Sequence, residues 1–240
     1  MKSIGIMQPY FMPYIGYFQL IEAVDEFIIY DNIQYTKKGW INRNRILTGG
    51  TDKYITLPLK KDSDFLDVRE RFLSETFEPK KLLRQIETAY RKAPYFQETY
   101  AFLEPVIQYQ EPNLFQYIYH SVTKVCEYLE IQTPIVISSH LTYDNTLKSQ
   151  EKVIAICKER QCGRYINAIG GMELYRADDF AKENMELYFI QTERMEYPQF
   201  QNDFIPSLSI IDVMMFNSKE EIRSMLKGFR LIKGDGQDAV

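Results

Sequence analysis

Ser3-Ile4-Gly5-Ile6-Met7, the turn Gln8-Pro9-Tyr10-Phe11-Met12-Pro13, the segment from Gly16 to Val24 and the run Glu26-Phe27-Ile28-Ile29-Tyr30 together decide the fold. Ser3–Met7 is a short apolar run of buried-strand type. Pro9 and Pro13 exclude a helix between them, because each lacks an amide N–H and pushes its predecessor toward extended backbone. From Gly16 the pattern turns helical: Tyr17, Leu20, Ile21 and Val24 fall at i, i+3, i+4 and i+7. Glu26–Tyr30 is again a strand. Strand, loop, helix and strand in succession form a βαβ opening, so the first two strands should run parallel.

Working outward, Lys53–Leu57 is a third candidate strand. Pro79 suits a first helical turn, and Leu82, Leu83, Ile86 and Tyr90 make one stripe that Pro94 stops. A second helix near Tyr95 should end or kink at Pro105. Asn113 caps a third, striped by Leu114, Tyr117, Ile118, Ser121, Val122, Val125 and Leu129, with His120 off the stripe and facing solvent. Pro134–Ser138, Arg164–Ala168 and Glu186–Gln191 read as strands. Lys148–Gln161 reads as a helix with Gly163 as its left-handed cap. Ser207–Asn217 and Ser218–Gly228 are two final helices, the second opened by Ser218 and Glu221 at capping-box spacing. The tail past Lys233 should fray. The expected fold is α/β, with a mainly parallel, Rossmann-like sheet and a helical insertion. Residues 1–240 form one domain, with 1–77 and 131–240 as the α/β part and 78–130 as the insertion.

The chain has 240 residues and a formal net charge of −4. That balance argues against general nucleic-acid or membrane-surface binding, which wants a concentrated basic face. No apolar stretch approaches the roughly 20 residues that span a bilayer, and no secretory leader is evident, so the expected location is cytoplasmic. Cys126, Cys157 and Cys162 have neither disulfide nor zinc spacing, and with two histidines no transition-metal site is expected. Aromatic residues are abundant, 18 Tyr and 15 Phe against one Trp, and several crowd into loops where they can line a pocket.

Ligands of open parallel sheets bind beyond the carboxyl ends of strands, and three segments occupy such positions. The first holds Gln8, Tyr10, Tyr14 and Tyr17; a glycine there, Gly16, opens a helix whose N–H groups can receive phosphate. Its alternative is a rigid buried aromatic turn. The second holds Asp31, Gln34, Tyr35, Lys37, Trp40, Asn42, Arg43, Asn44 and Arg45. Asp31 ends a strand, where a carboxylate can orient a hydroxyl or accept a proton. Arg43 and Arg45 can fork onto a diphosphate, Tyr35 and Trp40 offer flat faces, and Gln8, Asn42 and Asn44 offer amides. The alternative is a solvated basic loop. The third holds Asn167, Gly170, Gly171 and Glu173, where paired glycines allow close approach of a ligand or merely a tight turn. His140, beside Ser138 and Ser139, is the one histidine placed for acid–base work. Asp212 shares a face with Leu208, Ile211 and Met215, and near-capping spacing from Ser209 favours a structural role.

Gln8-Pro9-Tyr10-Phe11-Met12-Pro13-Tyr14-Ile15-Gly16-Tyr17-Phe18, Asp31-Asn32-Ile33-Gln34-Tyr35-Thr36-Lys37-Lys38-Gly39-Trp40 and Asn42-Arg43-Asn44-Arg45-Ile46 resemble the signature of the WbqC-like family. So do Gly170-Gly171-Met172-Glu173-Leu174-Tyr175 and Leu208-Ser209-Ile210-Ile211-Asp212, so the resemblance spans nearly the whole chain. Many relatives carry a histidine where this chain has Met7. The resemblance implies bacterial surface-polysaccharide (O-antigen) biosynthesis. It implies a nucleotide-linked amino sugar as substrate and transfer of an aminoacyl or acyl group to its amine. A fainter similarity to pantothenate-synthetase-like enzymes makes an adenylate-forming or nucleotidyltransferase-like activity the alternative, although Tyr14 and Tyr17 stand near the places of that group's catalytic histidines. A non-catalytic assembly factor is a third reading. ATP or an activated acyl donor is the candidate co-substrate, and the oligomeric state stays open.

Overall fold

The computed structural model describes residues 1–235. Strand β1 (Ser3–Met7) is buried along nearly its whole length because it lies inside a sheet covered on both faces. Helix α1 (Ile15–Glu22) follows, and Ile15 to Ile21 are all buried. Gly5 permits this approach: a methyl group there would meet the Leu20 side chain at 3.2 Å. Gln19, wholly buried on α1, is satisfied by the carbonyls of Met225 and Gly228 and by the Thr192 hydroxyl. Strand β2 (Glu26–Ile29) then pairs parallel with β1, as the opening pattern requires.

Strands β3 (Arg43–Thr48) and β4 (Thr51–Thr56) form a separate antiparallel hairpin. The third expected strand is thus real but lies outside the main sheet, and Arg43, Asn44 and Arg45 are on a strand rather than a loop. The cause is Gly49-Gly50, both left-handed (φ +61° and +78°), which makes the two-residue turn matched to hairpin twist.

Helices α2 (Pro79–Tyr90), α3 (Phe96–Ile107) and α4 (Leu114–Leu129) match the sequence stripes. Pro105 does not end α3, which runs on to Ile107, because a proline in the last turn removes only one ladder bond. Asn113 caps α4 through its side chain, which accepts from the Gln116 amide. His120 is half-buried, stacked on Tyr109 at 3.8 Å between ring centres, rather than facing open solvent.

Strand β5 (Ile135–Ile137) pairs parallel with β2, helix α5 (Ser149–Glu159) crosses back, and β6 (Arg164–Ala168) pairs parallel with β1. The left-handed residue that closes α5 is Gln161 (φ 54°), not Gly163, whose missing side chain instead makes room for Met1. After α6 (Ala177–Ala181), β7 (Glu186–Thr192) pairs parallel with β6. Helix α7 (Ile210–Phe216) starts three residues later than expected, and α8 (Lys219–Met225) carries the expected Ser218/Glu221 capping box. Strand β8 (Phe229–Lys233), unanticipated from sequence, adds antiparallel to β7. The Gly234 amide donates to Leu187, so fraying does not begin directly after Lys233. The rest of the expected frayed tail, 236–240, lies outside the described residues.

The result is a mixed α/β fold whose sheet, in the order β5-β2-β1-β6-β7-β8, is parallel except for β8. Alternate strand residues feed two apolar clusters, as a period of two demands. Ile4, Ile6, Ile28, Tyr165 and Phe189 pack toward α5 and α6. Phe27, Ile29, Ile166 and Ile190 pack on the face that α1, α2, α3, α4 and α7 share. Among the described residues no helix is long and apolar enough to cross a membrane.

Candidate functional site

Chain order reverses between β1 and β6, the place where an open parallel sheet leaves a crevice at its carboxyl edge. Registers set what collects there. Met7 lies opposite Ile29, and Gly5 opposite Ile166, so Gln8, Tyr30, Asp31 and Asn167 all emerge at one edge. Ile29 lies opposite Ile137, which brings Ser138 and Ser139 beside Asp31.

Asp31 is 2% exposed, and its carboxylate is already engaged. Oδ2 accepts from the Ser139 hydroxyl at 2.6 Å, and Oδ1 accepts from the Ser139 amide at 2.9 Å. The Ser138 hydroxyl sits 2.8 Å from Asp31 Oδ1 and 2.6 Å from the side-chain oxygen of Asn32, Oδ1, donating to one or the other. Asp31 therefore positions the loop after β5. The Asn32 amide donates to Tyr143 and Asn145. His140 is exposed and takes no part in this network.

A lysine completes the edge. Lys152, on the first turns of α5, is 9% exposed. Its ammonium group donates to the Asn32 carbonyl at 3.1 Å and lies over the rings of Tyr30 and Tyr143 at 5.0 and 5.7 Å. No carboxylate approaches within ion-pair distance among the described residues; Asp67 and Asp31 act on it only from farther away. Burial pushes its pKa down, partly offset by Asp67. Arg69 stands nearby, its backbone amide bonded to the Asp31 carbonyl and its exposed guanidinium 3.7 Å from Asp67. Asp67 in turn has its pKa raised, chiefly by burial.

The remaining sequence-derived candidates separate into five groups. Gln8 accepts from the Tyr17 hydroxyl through its backbone carbonyl, and Tyr10 packs on the buried Tyr17 ring, so the aromatic turn is tied to α1. Asn44, buried, donates to the carbonyls of Phe11 and Met12 and so pins that turn at its left-handed residue, Met12 (φ 43°). Tyr14 lines a different cleft of about 440 Å³ with Thr192, Arg194 and Tyr197. Asn167 is buried with its carbonyl on the Ala168 amide; Gly171 packs against its Nδ2, Gly170 faces open space, and Glu173 is exposed on the 3₁₀ turn Ile169–Leu174.

Arg43 and Arg45 belong to the outer face of the hairpin. Arg43 donates to the carbonyls of Gly39 and Lys38 and lies over the Tyr54 ring at 4.7 Å. Arg45 pairs with Asp52 at 3.0 Å and lies over Trp40, which stacks on Tyr54. Their shared clamp on one ligand is therefore not assembled in this arrangement. Tyr35, Lys37 and Asn42 instead line a third cleft, of about 590 Å³, whose floor includes Arg71. Gln34 donates to the Asp64 carbonyl, and Lys37 pairs with the Asp64 side chain, both at its rim. Sequence reasoning missed Lys152, Arg69 and Arg71; no motif marks them.

Asp212 does not cap α7. It is fully buried, accepting from the hydroxyls of Tyr90 and Tyr197 and from the Gln199 amide, each at 2.7 Å. Ser209 alone caps α7, through the Ile211 amide.

The sequence profile of the WbqC-like protein family matches residues 8–224. An uncharacterised protein of Mycobacterium tuberculosis, Rv1507c, is 31% identical over 230 residues, which is 95% of this chain and 98% of that one. No solved structure matches. A match running from the turn after β1 into α8, with a relative aligned end to end, places the chain in the WbqC-like protein family.

Proposed function

We propose that this protein serves bacterial surface-polysaccharide biosynthesis by binding a nucleotide-linked amino sugar at the carboxyl edge of its sheet and transferring an aminoacyl or acyl group to the sugar amine. On this reading the five parallel strands are a Rossmann-like unit and the crevice between β1 and β6 is the binding place. The observation that carries it is Lys152: a desolvated ammonium, flanked by two tyrosine rings and by Arg69, with no carboxylate neutralising it at contact distance. A diphosphate supplies the missing charge, and Lys152 with Arg69 can meet it from two sides. Tyr30 and Tyr143 give faces for a sugar or base, while Gln8 and Asn167 offer carboxamides for hydroxyls.

In the transfer, the sugar nitrogen attacks the acyl carbon of an activated donor such as an acyl adenylate or thioester. The C–N bond forms, the bond from acyl carbon to leaving group breaks, and the nitrogen releases a proton to solvent at the open edge. Asp31 acts as a positioning residue through Ser138 and Ser139.

Thermal unfolding with a panel of dTDP- and UDP-amino sugars tests the reading, since a ligand held only by the native state stabilises it by about 2.7 kcal/mol at a hundredfold excess over Kd. A fitting nucleotide sugar should raise the melting temperature, and Lys152→Met should remove most of the rise. Arg43→Ala should leave it. A flat response across the panel, or an undiminished response in Lys152→Met, would refute the assignment.

A further inference from the structure

The cleft floored by Arg71 is built unlike a solvated surface dip. Arg71 follows the 3₁₀ turn Val68–Glu70 and is 5% exposed. A guanidinium carries five N–H donors. In Arg71, Nη1 donates to the Ser63 carbonyl at 2.8 Å and Nη2 to the Lys60 carbonyl at 3.3 Å, while Nε is buried without a partner. The flat of the group lies 4.9 Å from the centre of the Tyr35 ring. No carboxylate reaches it within ion-pair distance among the described residues. A buried cation lacking a counter-ion is unfavourable until an anion arrives.

The walls reinforce the point. Lys37, Lys60 and Lys61 join Arg71 around the cleft, against Asp62 and Asp64. Asp64 is already taken by Lys37 at 2.8 Å, and Asp62 caps the Ser63 amide. Tyr35 and Asn42 bond to each other at 2.9 Å and hold the inner wall fixed.

We infer that this cleft is an anion site that takes a phosphate or diphosphate group, with Arg71 as the central donor and Lys61 at the rim. Lys37 and Lys60 are engaged by Asp64 and Glu75, which leaves the guanidinium of the floor and the Lys61 ammonium to offer charge-assisted donors to one anion. The inference does not use Lys152: the cleft is lined by Tyr35, Lys37 and Asn42 before β3, by the segment after β4 and by Arg71.

The test is titration of the full chain with inorganic phosphate, pyrophosphate and UDP at constant ionic strength, with acetate as control, read by calorimetry and melting temperature. Pyrophosphate should bind and acetate should not. Arg71→Lys, which keeps the charge and loses the fork, should weaken pyrophosphate by about tenfold or more, the value of one charge-assisted hydrogen bond. Lys61→Ala, an exposed change that does not threaten folding, should weaken it as well. UDP binding tighter than pyrophosphate assigns the phosphate to a nucleotide; equal binding assigns it to a free (di)phosphate. Lys152→Met should keep the part of the pyrophosphate response that Arg71→Lys and Lys61→Ala diminish. No response in the unaltered protein beyond that to acetate, an undiminished response in both cleft variants, or complete loss of the response in Lys152→Met would each overturn the site. A silent nucleotide-sugar panel with an intact pyrophosphate response would remove the earlier reading and leave this one standing.

Discussion

Replacing Tyr90 by phenylalanine should be among the most damaging single-atom deletions in this protein. Tyr90 ends α2 and is fully buried. Its hydroxyl donates to Asp212 Oδ1 at 2.7 Å and accepts from the Leu47 amide at 2.8 Å, so one oxygen joins α2, α7 and β3. Removing it deletes a hydrogen bond to a buried carboxylate, worth about 1.5–3 kcal/mol, and strands a buried backbone N–H, at about 1–3 kcal/mol more. The expected loss is about 3–5 kcal/mol, a large part of a typical total of about 5–15 kcal/mol.

Tyr197→Phe is the internal control. That hydroxyl also donates to Asp212 at 2.7 Å, but it serves no backbone group, so about 1.5–3 kcal/mol is expected without the added cost of a stranded amide. Urea denaturation at unchanged m-value measures both. A double-mutant cycle with Asp212→Asn should give a Tyr90–Asp212 coupling of about 1–2 kcal/mol. Equal costs for the two tyrosines, or a Tyr90→Phe loss below about 1 kcal/mol, would refute the view of Asp212 as a hub that organises three elements.

Other expectations follow from the same reasoning. Glu26 is 6% exposed and its carboxylate is held below its usual range, first by two bonds from Arg160 and then by Lys2, against the opposing effect of burial. Its stabilising contribution is complete above the unfolded pKa of about 4.3 and is lost as pH falls through the depressed folded value, so Glu26→Gln should flatten the acid side of the stability profile. Asp212 works in the opposite sense: burial raises its folded pKa, so its contribution declines as pH rises through that value, and Asp212→Asn should remove this slope in pH-resolved urea melts. Gln161, exposed and left-handed at φ 54°, should gain about 0.5–1 kcal/mol on replacement by glycine, measured by denaturation. Without ligand, Lys152→Met should be neutral or stabilising by up to about 2 kcal/mol, since the methionine keeps the stem contacts and removes a desolvated charge.

The opening βαβ unit was readable because each of its signals is local: a buried apolar run, two prolines, and a stripe at helical spacing. The helices from Pro79 to Leu129 were readable for the same reason. The hairpin was harder, although Gly49-Gly50 signals its turn. Arg43 and Arg45 alternate with Asn44 and Ile46 at a period of two, but two arginines on the outer face resemble a basic loop until Tyr54 and Trp40 are seen beneath them. Strand β8 depends on pairing with β7 from 188 to 192, a non-local contact that five residues of chain cannot announce. At the candidate site, the places of Gln8, Asp31 and Asn167 at strand ends were readable because strand ends are. Lys152 was not. On a helix of unknown packing, a lysine reads as solvated, and only the rings of Tyr30 and Tyr143 and the Asn32 carbonyl make it otherwise.

Three buried ionic groups therefore fall into two kinds, and their partners tell them apart. Asp212 receives three hydrogen bonds from groups 122, 15 and 13 residues away, and every one of them joins parts of the fold. Lys152 has one carbonyl and two ring faces, and Arg71 has two loop carbonyls, a ring and an orphaned Nε. A satisfied buried charge depends on its partners, so deleting one leaves it uncompensated and is costly. An unsatisfied one makes the empty protein less stable than it could be, a strain that persists where binding uses it. The two kinds must then respond oppositely to the same experiment. Unliganded protein should lose stability on Tyr90→Phe and keep or gain it on Lys152→Met, and anion should reverse the second result alone.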